Sequence, residues 1–133
     1  MNPLIKHIFL VFGIFCCIAC TNEEIPAARG VLDILSSPEK YLGKQVTLDA
    51  CYLSGRHGAA IYDCSNRELL LGVLIGENAM ESAEGKLLVE QGYKQWPPGS
   101  RLVIHVRVDG ELTRMDGGGV AFEILAVRDV TSS

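Results

Sequence analysis

The sequence predicts a small all-β protein, a five-stranded barrel with a single helix, carried behind an N-terminal export signal. Two patterns predict the barrel. From Val46 onward apolar and polar residues alternate, with Val46, Leu48, Ala50 and Tyr52 on one side and Thr47 and Asp49 on the other, and strand-like stretches recur four more times before the C-terminus. Between the third and fourth of these, over Glu77 to Gly92, the period changes once to that of an amphipathic helix. The third observation concerns the first twenty residues. Lys6 supplies a short positive region and Ile8 to Ala19 an almost wholly apolar run, the layout of an export signal.

Composition sets the bounds. At 133 residues, 48% apolar and 21% charged, the chain has room for one globular domain with one core. It carries 12 basic against 16 acidic residues, and loss of the signal removes only Lys6, leaving the mature chain more acidic still. That balance argues against a nucleic-acid partner, because phosphate backbones are gripped by clustered Lys and Arg.

The apolar run is too short to span a membrane, which takes about 20 residues, and Thr21-Asn22-Glu23-Glu24 is polar directly after Cys20. Cleavage is the reading that follows. Cys17-Ile18-Ala19-Cys20 resembles the lipobox of bacterial lipoproteins, in which a small residue precedes the cysteine that takes the lipid and becomes the new N-terminus. The resemblance implies a signal peptide over 1–19, lipid attachment at Cys20, a tether over 20–29 and the folded domain over 30–133. Thr21, which is not Asp, would sort the protein to the periplasmic face of a Gram-negative outer membrane. Two or more acyl chains make a stable anchor. The alternative is an ordinary signal peptide cut near Ala19 that releases a soluble protein.

Of the five cysteines, Cys16 and Cys17 would leave with the signal and, on the lipobox resemblance, Cys20 would be acylated, so Cys51 and Cys64 remain as a pair expected in an oxidising compartment. A disulfide is the expectation. The rival is zinc held by both cysteines with His57 as a third ligand, but metal-site spacings such as CxxC or HxxxH are absent, and no metal or other cofactor is expected.

Taken in order, Val31, Leu32, Ile34 and Leu35 form one or two helical turns that cover an open end of the sheet. Pro38 and Gly43 bring the chain over a bend, Gly43 by permitting a positive φ. Strand one then runs from Gln45 to Ser54 and returns over Ala59 to Cys64 as a hairpin, whose two-residue tip at His57-Gly58 would set Cys51 opposite Cys64. Ser65-Asn66-Arg67 turns into strand three, Glu68 to Ile75, apolar enough to be central. The helix carries Met80, Ala83, Leu87 and Leu88 on one face, and Gly85 either splits it or marks its start. Trp96-Pro97-Pro98-Gly99 is a rigid connection to strand four, Arg101 to Val108, with Leu102, Ile104, Val106 and Val108 inward and Arg101, His105 and Arg107 outward. A glycine-rich loop over 109–119 leads to strand five, Val120 to Val130.

The order strand, strand, strand, helix, strand, strand over residues 45–130 resembles the OB-fold, a five-stranded Greek-key barrel with a helix between its third and fourth strands. The segment Pro38-Glu39-Lys40-Tyr41-Leu42-Gly43-Lys44-Gln45-Val46 is also similar to the lead-in of small exported bacterial OB-fold proteins. OB-folds bind on the face of strands two and three and the loops beside it, and that resemblance implies a site among Arg56, His57, Tyr62, Asn66, Arg67 and Arg114. Arginines there suit an anionic or sugar-like ligand, with Tyr62 as a stacking surface.

No carboxylate pair, nucleophile elbow, metal cluster or phosphate loop stands out, and outward-facing His105 reads as a surface residue. The sequence therefore predicts a non-enzymatic, lipid-anchored binding or adaptor module of the cell envelope. The second reading is a structural or assembly subunit of an envelope complex, docking through a strand edge or through Trp96-Pro97-Pro98.

Overall fold

The computed structural model describes residues 30–133. The expected signal over 1–19, Cys20 and the expected tether over 20–29 lie outside the described residues. Among the described residues no helix is long and apolar enough to cross a membrane.

Five strands, β1 (Gln45–Gly55), β2 (Gly58–Asp63), β3 (Asn66–Ile75), β4 (Ile104–Arg114) and β5 (Val120–Ser132), form one sheet. It closes on itself in the order β1-β2-β3-β5-β4, all pairs antiparallel except β3 with β5. The inward rows do what their alternation dictates. Val46, Leu48, Ala50 and Tyr52 on β1, Ile104, Val106, Val108 and Leu112 on β4, and Phe122 and Ile124 on β5 are buried together in one core.

The lead-in helix α1 (Val31–Ser36) turns Val31 and Ile34 into that core, and Gly30 N–H donates to the Asp33 carboxylate at its start. A 3-10 turn at Pro38–Lys40 follows. Gly43 takes a φ of 73°, as the bend requires, and its N–H donates to the Leu112 carbonyl, so the lead-in is pinned to the far end of β4.

The hairpin tip is Arg56-His57, not His57-Gly58: Gly55 pairs with Gly58, and Cys51 lies opposite Tyr62. Gly58, with φ 134°, is the first residue of β2 rather than part of the tip. Other boundaries also differ from expectation, most of them by one or two residues. Strand four begins at Ile104 and runs on to Arg114, because the in–out alternation continues through Gly110 and Leu112 beyond Val108. Asn66 and Arg67 belong to β3 rather than to the preceding turn. β3 buries only one face, Leu71 and Val73, and leaves Leu70 and Leu74 about half exposed.

The helical stretch is two helices, α2 (Glu77–Glu81) and α3 (Ala83–Tyr93). The break falls at Ser82, whose extended backbone ends α2 while its hydroxyl oxygen accepts from Gly85 N–H at 3.0 Å and its O–H donates to the Ala79 carbonyl at 2.7 Å. Gly85 is required there. A Cβ on it would lie 1.7 Å from the Ala79 carbonyl oxygen. After α3, Gln95 ties the connection to the barrel: its amide donates to the Tyr52 and Leu102 carbonyls and its oxygen accepts from Ser54 N–H. Trp96 donates its indole N–H to the Ser54 hydroxyl.

Candidate functional site

Cys51 and Cys64 form a disulfide, with their Cα atoms 5.2 Å apart. It does not arise from the register expected from the hairpin. Cys51 stands on the outward row of β1, opposite Tyr62 on one side and opposite His105 of β4 on the other. Cys64 lies one residue past the end of β2, where the β2–β3 pairing shifts register between Tyr62 and Asp63. Such irregularities re-aim a side chain, and here the chain turns Cys64 back toward Cys51.

The two sulfurs differ in access. Cys51 is fully buried although it faces outward, whereas Cys64 is exposed. The histidine at this site is His105. Its Nδ1 lies 3.6 Å from the Cys51 sulfur and 3.6 Å from the Cys64 sulfur. The three groups are close enough to form a metal-binding set, but both thiols are consumed in the disulfide. His57, the ligand weighed from the sequence, sits instead in the β1–β2 tip.

Around this centre the outward rows of β1 and β4 carry paired charges. Arg107 donates from Nε to Asp49 Oδ1 at 2.7 Å and from a terminal nitrogen to Oδ2 at 3.2 Å, a bidentate contact between residues directly opposed on the ladder. That hydrogen bond holds the Asp49 carboxyl below its ordinary pKa and raises that of Arg107. One rung away Thr47 donates to Asp109, which also pairs with Arg128. The Asp63 carboxyl is likewise held low, because the Ser65 hydroxyl and backbone N–H both donate to it. Asp49, Asp63, Cys64, His105, Arg107 and Asp129 line an open pocket of about 410 Å³.

The residues expected to grip a ligand are distributed more widely. Arg67 lies over the Tyr62 ring, 5.9 Å from its centroid, in cation–π range. Tyr62 itself is only 6% exposed, so little of its ring is open to a stacking ligand. Asn66 caps its own strand start, accepting from Glu68 N–H. Arg56 and His57 form the exposed β1–β2 tip, and Arg114, at the end of β4, pairs with Glu39 of the lead-in at 3.4 Å.

Compared with protein-family models, with curated proteins and with solved structures, the chain matches none.

In the sequence both cysteines stand out, whereas His105 reads as a surface residue and the pocket leaves no local mark. The missing signal was the pairing of β1 with β4, which opposes Cys51 and His105 across a sequence separation of 54. No local pattern encodes that rung.

Proposed function

We propose that this chain is a lipid-anchored OB-fold binding module of the bacterial envelope, tethered through Cys20 and acting without catalysis on its ligand face. The observation that carries the fold assignment is the strand order β1-β2-β3-β5-β4 with a parallel β3–β5 closure and the helical segment between β3 and β4. An OB-fold has that element order and binds on its β2–β3 face. Cys20, behind a short apolar run and Ala19, supports the anchor. On that face Arg67, together with Arg56 and His57 at the hairpin tip, supplies donors for an anionic or sugar-like ligand.

The second reading, an assembly subunit, is favoured by one observation. The outward row of β3 presents Leu70, Gly72 and Leu74, with both leucines about half exposed, and so offers an apolar strip on the same face. Crosslinking in intact envelopes separates the two. With a photoreactive residue at Leu74, a single stoichiometric protein adduct supports assembly. A chain that yields no protein adduct, yet shows amide shifts around Arg67 on titration with anionic glycans, supports the ligand-binding module. If neither appears, this face is not the functional one.

A further inference from the structure

The geometry points to a second activity on the opposite side of the Cys51–Cys64 bridge from the core: thiol–disulfide exchange with a dithiol substrate, with His105 as the proton carrier. Three features on one surface carry it. The bridge has one reachable sulfur and one unreachable one, because Cys64 is exposed and lines the open pocket while Cys51 is fully buried. An incoming thiol can therefore attack only Cys64. His105 Nδ1 is equidistant from both sulfurs at 3.6 Å, so a single ring nitrogen serves the atom attacked and the atom that leaves. The pocket of about 410 Å³ in front of Cys64 gives the substrate a place to stand.

The exchange runs in two balanced steps. The substrate's first thiol gives its proton to solvent and attacks Cys64 Sγ as the thiolate, in line with the Cys51–Cys64 bond. The Cys51–Cys64 bond breaks, a substrate–Cys64 bond forms, and the Cys51 sulfur leaves as a thiolate that takes a proton from Nδ1 of the His105 imidazolium, which solvent then reprotonates. The substrate's second thiol then attacks its own sulfur in the mixed disulfide. Cys64 leaves as a thiolate and receives the second proton by the same nitrogen. The protein gains two electrons and two protons, and the dithiol loses them and becomes a disulfide. A leaving thiolate in a buried position is the costly species in this sequence, and a proton from the adjacent imidazolium neutralises it as it forms.

The pocket also sets the substrate's charge. Asp49, Asp63 and Asp129 stand there against Arg107, and Arg107 is already spent on Asp49. A neutral or cationic dithiol fits this surface better than a thiol carrying carboxylates.

The test uses the oxidised protein under native conditions, with dithiothreitol as the dithiol and cysteamine, a cationic monothiol, to stop the reaction at the mixed disulfide. Bridge opening should be first order in dithiothreitol across the accessible range, and peptide mapping after alkylation should place the cysteamine adduct on Cys64 with Cys51 alkylated. His105→Ala and His105→Gln should slow opening by about tenfold or more while leaving the urea midpoint close to the parent's. An opening rate that does not depend on thiol concentration would mean that the bridge is reached only by unfolding, and it overturns the proposal. An adduct on Cys51 overturns it as well. Opening of both His105 variants within twofold of the parent removes His105 from the reaction and overturns the mechanism. The rate law and the adduct position are read on the parent protein, so the test stands even if a variant fails to fold.

Discussion

Gly110 lies against the ring of Phe122: a Cβ added to it would meet Phe122 Cε1 at 2.6 Å and the Glu123 carbonyl oxygen at 2.1 Å. Phe122 is among the largest fully buried side chains, and the β4–β5 pairing shifts register between Asp109 and Gly110, where the two backbones approach. The absence of a side chain at Gly110 is what lets the ring fill this part of the core. Gly110→Ala must displace either the β5 backbone or a fully buried ring, and it is expected to cost about 1–3 kcal/mol or more. Urea unfolding measures this. A loss too small to resolve would mean that the strand gives way freely and that the close approach carries no energetic weight.

Gly85 provides a sharper contrast, because two principles predict opposite signs. By helix propensity alone, Gly to Ala inside α3 should stabilise by about 1 kcal/mol. The site forbids it, since the new Cβ would sit 1.7 Å from the Ala79 carbonyl oxygen, which already accepts the Ser82 hydroxyl. Gly85→Ala is therefore expected to lower the thermal midpoint by loosening α2 from α3. A raised midpoint would show that propensity prevails over packing at this corner.

These two glycines also show where reading the sequence succeeds and where it stops. The inward rows of β1 and β4, the bend at Gly43 and the helical turn at Val31–Ile34 are legible because each follows from local periodicity or from a φ that only one residue type favours. Gly85 was visible as an interruption, but Ser82 as the cap that breaks the helix needed the hydroxyl geometry. Gly110 has the local look of a loop, since a glycine beside Asp109 resembles a turn, and only Phe122 lying across it marks it as strand. The same limit applies to the site. The pairing of Cys51 with Cys64 could be argued from compartment and count, whereas the position of His105 depends on a non-local strand register.

The bridge should contribute to stability independently of any exchange chemistry. By chain entropy a closed loop of about 15 residues is worth roughly 3 kcal/mol, and less here because the β1–β2 hairpin already restrains its own ends. Cys64→Ser is the better probe, as its hydroxyl is exposed and leaves Cys51 as a small buried thiol. The expected loss is about 1–3 kcal/mol in urea unfolding. The parent should show a two-dalton mass deficit that disappears on reduction. Equal stability of the parent and Cys64→Ser would remove the structural role.

The Asp49–Arg107 pair makes a prediction about acid. The folded-state pKa of Asp49 lies below its ordinary value, mainly through the hydrogen bond from Arg107. Its contribution is therefore complete above the unfolded pKa, near 4, and is lost as the pH falls through the lowered folded value. Both side chains are more than half exposed, so the effect is small and screened by salt. Asp49→Asn should flatten the fall in stability between neutral pH and pH 3 without altering the plateau above pH 5 by much. An unchanged acid limb in that variant would assign the loss to other carboxylates.

Anchoring is tested at Cys20, outside the described residues. The argument has two links, and each fails separately. Twelve apolar residues from Ile8 to Ala19 are too few to hold the chain in a bilayer, for which about 20 are needed, so the membrane attachment proposed above would have to come from elsewhere. Acyl chains on Cys20 would supply it at about 0.8 kcal/mol per buried methylene. Cys20→Ser removes the acceptor thiol. The variant should leave the membrane fraction as a soluble domain or accumulate as a precursor that retains its apolar run, and labelled palmitate should enter the parent alone. A Cys20→Ser chain that is cleaved and still sediments with membranes like the parent would break the second link. Retention would then have to come from the folded domain, for which the half-exposed Leu70 and Leu74 on β3 are the first surface to mutate.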